Sequence, residues 1–219
     1  MSPRERVLAA VRDALDGRAR AALPGDFEGR RPDQATQGSP VDAFAALFQA
    51  AGGEVVRLPG IAEAAAWIRR TAAAFASACV GAGVPRELRP PLPVAAPDVA
   101  AVGVSLARGA VAETGSLLLG AEDGRRAQLL TPVHVVFVRE ADVHATLRAA
   151  LTALRQDLPS AVGLHSGPSK SADIGQVMVR GVHGPGRVIA VVLRPSVTQG
   201  DGAAQQWTHA LSRPNLPSR

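Results

Sequence analysis

Three short segments set chemically competent side chains beside apolar runs. The first is Glu113, Thr114, Gly115 and Ser116, placed between Ala110, Val111, Ala112 and Leu117, Leu118, Leu119. A carboxylate in such company is costly unless it is paired or faces a solvated cleft. Two readings follow: a general base or nucleophile whose pKa is raised by desolvation, or a carboxylate bonded to turn amides that holds the bend at Gly115. The second segment runs Ser166, Gly167, Pro168, Ser169, Lys170, Ser171, Ala172, Asp173. Its small residues, its ammonium group and a helix expected to begin near Ser171 would together seat a phosphate or carboxylate. Alternatively Ser171 only caps that helix. The spacing of a P-loop is absent. The third segment, Gly181, Val182, His183, Gly184, Pro185 and Gly186, is a turn that carries an imidazole.

His134, beside a buried run, joins His165 and His183 near expected strand ends. With Asp173 these imidazoles could converge on a metal, yet no two of them have the close spacing of ligands on one helix or strand, and structural histidines are the commoner outcome. Ser116 and Ser166 lack a G-x-S-x-G elbow, which argues against a serine hydrolase. Open α/β sheets bind ligands at strand ends, so the elements around these segments matter.

Those elements alternate. Ser2, Pro3 and Glu5 form a capping box with proline at the first helical position, and Val7, Leu8, Val11 and Leu15 follow at helical spacing, predicting a helix over 3–16. Residues 17–40 are rich in Gly, Pro, Gln and Asp and read as a mobile connection or flap. A helix at 41–51, a strand at 54–58 and an alanine-rich helix at 61–73 come next, then a proline-rich loop over 81–97. Strands are expected at 99–106 and 133–138, with an apolar run at 111–119 and a turn at 120–126 between them. The 133–138 run is almost all β-branched, as in a strand buried on both faces. An amphipathic helix with Val143, Leu147, Leu151 and Leu154 on one face follows. A strand at 162–165, a short helix at 171–179 and a strand at 188–193 complete the body, leaving a polar tail at 195–219. The pattern predicts an α/β layered domain with a largely parallel sheet, divided as 1–40 (helix and flexible linker), 41–194 (α/β domain) and 195–219 (tail).

Composition narrows the function classes. The 219 residues are 47% hydrophobic and 20% charged, enough for a sizeable core. The formal charge is 24 − 19 = +5, almost all of it arginine, with Lys170 the sole lysine and no tyrosine. The arginines alternate with acids and no basic run carries interleaved aromatics, so nucleic acid is not an expected partner. A single cysteine, Cys79, lies in an apolar stretch where a thiol acts as a small core hydrophobe. Iron–sulfur clusters and structural zinc need several such ligands, so this chain is expected to bind no cofactor of that kind. Without an apolar run long enough for a leader or a bilayer span, a cytoplasmic, reduced protein is expected.

Taken in order, Ala112-Glu113-Thr114-Gly115-Ser116-Leu117, Leu129-Leu130-Thr131-Pro132-Val133-His134, Ser166 to Ile174, and Gly181-Val182-His183-Gly184-Pro185 resemble the lactate-utilisation protein C family, the LUD domain. The resemblance extends over about 1–194 and is densest from 98 onward. It implies the three-layer, Rossmann-like α/β fold of the ribose-5-phosphate isomerase, glucosamine-6-phosphate deaminase and CoA-transferase superfamily. It further implies a cluster-free subunit or accessory protein of L-lactate oxidation to pyruvate, working beside iron–sulfur proteins. Lys170 stands where the family carries a basic residue, consistent with binding an anionic small molecule. Gly175 replaces the family's acidic residue after Asp173 and Ile174, which removes a carboxylate pair there. An alternative follows from the wider superfamily: an enzyme in its own right, with Glu113 as nucleophile before a small turn. The site expected on these grounds is Glu113 for catalysis, with Thr114, Gly115, Ser166, Gly167, Ser169, Lys170, Asp173, His134 and His183 around the substrate.

Overall fold

Apolar periodicity decides most of the architecture. In the computed structural model, residues 2–16, 38–172 and 178–194 are described, so the expected linker, Asp173 and the tail fall outside them. The first of two compact units, Met1–Gln34, holds helix α1 (Pro3–Leu15). Its capping box forms as read: Ser2 N donates to Glu5 Oε2 at 2.6 Å and Glu5 N to Ser2 Oγ at 3.2 Å. Val7, Leu8, Val11 and Leu15 are all exposed.

The second unit, Ala35–Arg219, contains everything else described. Its elements run α2 (Pro40–Ala50), β1 (Glu54–Leu58), α3 (Ile61–Ala72), β2 (Ala78–Val80), β3 (Val102–Leu106), β4 (Gly109–Val111), β5 (Ser116–Gly120), α4 (Arg125–Leu130), β6 (Val133–Arg139), β7 (Val143–His144), α5 (Leu147–Leu154), β8 (Val162–His165), β9 (Lys170–Ala172), β10 (Met178–Arg180) and β11 (Arg187–Leu193). A five-stranded parallel sheet has the order β1-β11-β6-β3-β2. The Val-rich β6 and β11 occupy its middle, where both faces are covered, which is why they read as nearly continuous apolar runs.

Alternate residues of these strands feed two cores. Val135, Phe137, Ile189 and Val191 pack on one face against Ala64 and Ile68 of α3 and against Val84 and Leu88. Val136, Val138, Ala190 and Val192 pack on the other against Val41, Phe44 and Phe48 of α2 and against Ala110, Leu117 and Leu119. The last three belong to a second sheet of order β7-β4-β5-β8. Its far side holds Val111 and Leu118 beneath Ala150 of α5. The domain is therefore a layered, broadly Rossmann-like α/β fold with a parallel central sheet.

Five local expectations change. The 111–119 run is a β4–β5 hairpin rather than one strand, because the turn from Ala112 to Gly115 reverses the chain and pairs Val111 with Ser116. The turn expected at 120–126 passes through a short 3-10 turn into α4. Val143 lies in β7, not on the amphipathic helix, which starts at Leu147 and buries Ala150 and Leu154 while Leu151 stays exposed. Cys79 is a strand residue only partly buried; burial still pushes its thiol pKa up. The helix expected over 171–179 is contradicted at its described ends: β9 and β10 pair antiparallel, Ser171 facing Val179 and Lys170 facing Arg180. Cross-strand pairing wins there over a weak helical pattern.

Candidate functional site

The turn between β4 and β5 presents Glu113 and Thr114 to solvent. Ala112 N and Glu113 N donate to the carbonyls of His144 and Ala145 at 2.8 and 3.1 Å, fixing the turn against the start of α5. The Glu113 carboxylate then accepts from Leu147 N at 2.7 Å, while Thr146 Oγ1 accepts from Ala149 N at 3.2 Å. Glu113 thus meets one of the free amides at a helix start, an amide of α5 rather than of its own turn.

Gly115 adopts φ +58°, and a Cβ there would lie 2.6 Å from Leu47 Cβ and 2.7 Å from the Phe48 amide. Only glycine combines that backbone with that approach to α2. Gly115→Ala is expected to cost about 2–4 kcal/mol, from left-handed strain plus overpacking, read as a lowered denaturation midpoint. An unchanged midpoint would show that α2 yields without cost.

Ser116 is buried, and its Oγ donates to Thr114 Oγ1 at 2.8 Å and lies 2.6 Å from Ser166 Oγ. Three hydroxyls, from the β4–β5 turn, the start of β5 and the residue after β8, therefore form one hydrogen-bonded chain. Gly167, the next residue, lies against the C-terminal end of α2: a Cβ there would be 3.2 Å from the Ala51 carbonyl. The 113–116 and 166–167 segments consequently share one side of α2. Farther along, Ser169 N donates to Pro185 O at 2.8 Å and Gly181 N to Ser169 O at 3.0 Å, so the 166–170 segment also grips the 181–186 turn. Gly186 N donates to Pro132 O at 3.0 Å, which puts this turn at the amino ends of β6 and β11. Lys170 and His183 are exposed there.

Strand order thus joins the three segments into one continuous strip, with hydroxyls at one end and Lys170 and His183 at the other. His134 does not reach this surface. It is fully buried, its Nε2 2.9 Å from Ser105 Oγ, and its Nδ1 has no hydrogen-bond partner. Burial, followed by the charge of His165, lowers its pKa to about 3. Burial likewise lowers that of His165. Because β9 and β10 are strands, the helix-end anion seat expected at Ser171 does not form. Among the described residues no three His, Cys, Asp or Glu side chains are grouped to hold a metal, and no helix is long and apolar enough to cross a membrane.

Sequence reasoning missed Asp123 at the other end of the sheet. Its buried carboxylate accepts from Gly83 N at 2.8 Å and Leu106 N at 3.0 Å, beyond the carboxyl ends of β2 and β3. A Cβ on Gly81 would lie 2.5 Å from its carboxyl carbon. Desolvation raises its pKa against the lowering pull of those amides. The amides of this glycine loop, at the usual ligand end of a parallel sheet, are taken by the protein's own carboxylate. The only sequence signal is an Ala-Glu-Asp-Gly turn, which reads as ordinary punctuation. Nearby, Arg108 pairs with Glu122 and, at 2.9 Å, with Asp157.

Comparison with known proteins adds a family context. Residues 98–193 match the LUD domain model. The chain is 37% identical to lactate utilization protein C of Deinococcus radiodurans over 119 residues, 52% of this chain and 56% of that protein. It is 31% identical to lactate utilization protein C of Bacillus subtilis over 96 residues, 40% of each. The chain thus spans about half the length of the curated relatives it matches. A crystal structure of a DUF162 family protein from Deinococcus radiodurans superposes with a TM-score of 0.53 at 23% identity, covering 70% of this chain and 96% of that one. The matched fold is the layered one described above.

Proposed function

Because residues 98–193 match the LUD domain model, we propose that this protein serves lactate utilisation in the cytoplasm as a cluster-free accessory subunit. On this reading it works beside iron–sulfur proteins that carry the electrons from L-lactate on its way to pyruvate. The observation that carries the reading is the 37% identity to a lactate utilization protein C. The single cysteine agrees with it, since a cluster's several thiolate ligands would come from other chains.

The strip formed by Thr114, Ser116, Ser166, Lys170 and His183 is the part we assign to a small anion such as a hydroxycarboxylate. Hydroxyl donors and an ammonium group are the chemistry such a ligand needs. Glu113 borders the strip and holds α5 in place beside it.

Deleting the gene is expected to abolish growth on L-lactate while sparing growth on glucose, and the tagged chain is expected to copurify with an iron-containing protein from lactate-grown cells. Normal lactate growth of the deletion strain, or lactate oxidation by the purified chain alone, would sink the proposal.

A further inference from the structure

An edge strand presents unpaired N–H and C=O groups that recruit another strand unless something blunts them. The two larger sheets end in β1 and β2, and in β7 and β8. Three of these edges are blunted. β1 carries Glu54 and Arg57, ion-paired with Arg187 and Asp42. The open side of β2 is bridged, Ala78 N donating to Pro93 O and Ala95 N to Ala78 O. β7 is only two residues long.

Among the described residues β8 has none of these defences. Its residues Val162, Gly163, Leu164 and His165 include no fixed charge and no proline. The ladder with β5 shows which of its backbone groups are turned outward. Leu117 faces His165, Leu119 faces Gly163, and Ala121 N donates to Ala161 O in the same series. Hydrogen-bonded partners alternate along an antiparallel pair, so residues 161, 163 and 165 bond to β5 while Val162 and Leu164 point their N–H and C=O groups to the open side. The Leu164 side chain is 51% exposed.

We propose that β8 pairs antiparallel with β8 of a second copy of this chain. The outward groups of Val162 and Leu164 allow the register in which Leu164 lies opposite its own twin and Val162 opposite Ser166, and a twofold axis then closes the contact. The result is one eight-stranded sheet with β8 strands at its centre. A second copy fits because an antiparallel strand is complementary to itself and, here, brings no like charges together. The hairpin of β9 and β10, where Lys170 faces Arg180, would confront cation with cation if doubled. Four strand residues bury too little for a stable dimer. Leu158, 61% exposed on the segment leading into β8, supplies further apolar surface.

Light scattering on the purified full chain at micromolar concentration is expected to give twice the 22.5 kDa chain mass. Leu164→Lys places a charge on the edge, and Leu164→Pro removes an N–H that β5 does not use. Each is expected to weaken dimerisation about 100-fold, the effect of a blocked edge. In a Cys79→Ala background, Leu164→Cys is expected to oxidise to a covalent dimer, since Cα atoms of such a pair lie about 5.5 Å apart. A monomeric wild type overturns the proposal, as does a dimer that resists both Leu164→Lys and Leu164→Pro or forms no disulfide. If Leu164→Pro fails to fold, Leu164→Lys and the disulfide decide.

Discussion

Acidification from pH 7 to 5 is expected to remove about 2 kcal/mol of folding stability through His134 alone, rising to about 4 kcal/mol by pH 3. The cause is geometric. His134 on β6 shares the inter-sheet face with Val136 and Val138, and His165 opposite Leu117 faces the same layer from β8. Burial, with the His165 charge adding to it, holds the His134 imidazole neutral down to about pH 3, against an ordinary value of 6.5. The unfolded chain therefore binds a proton below pH 6.5 that the folded chain refuses. Stability is complete above 6.5 and declines as pH falls toward 3. His165, lowered in the same direction, steepens the slope.

The measurement is urea unfolding at a series of pH values, comparing wild type with the double variant His134→Leu, Ser105→Ala. Both partners of the 2.9 Å hydrogen bond are removed together, so no buried polar atom is orphaned. The variant should retain most of its stability at pH 7 and lose most of the slope between pH 7 and 5. Asp123, whose raised pKa tilts the slope the opposite way, is common to both proteins and cancels in the difference. Parallel slopes would show that the imidazole is hydrated in solution.

Asp123→Ala is expected to cost about 3 kcal/mol, because it leaves the Gly83 and Leu106 amides without their charged acceptor in a largely buried place. Asp123→Asn keeps one acceptor oxygen but turns an NH₂ group toward the second amide, so about 2 kcal/mol is expected. Denaturant unfolding at pH 7 reads both. A loss below 1 kcal/mol in the alanine variant would mean that relief of the buried charge offsets the bonds. Local disorder in the loop that follows β2 is expected to accompany the loss, visible as faster amide exchange at Gly83 and Leu106.

Much of this molecule is legible in its residues. The valine-rich, mostly apolar runs of β6 and β11 announce strands covered on both faces, and the capping box of α1 announces its first turn, because both signals depend on near neighbours. The three chemical segments were equally visible as polar interruptions of apolar runs. What they do to one another was not. Ser116 meets Ser166 fifty residues away, Asp123 meets Gly83 forty residues back, and His134 meets Ser105 across a sheet. At the described ends of an expected helix, β9 and β10 likewise pair as strands, because strand pairing outweighed a weak local pattern. Periodicity reports how a side chain sits relative to its own element, over a few residues. Which groups become partners is decided by strand order and by which sheet faces which, and that is settled only when two cores close at once around a shared sheet.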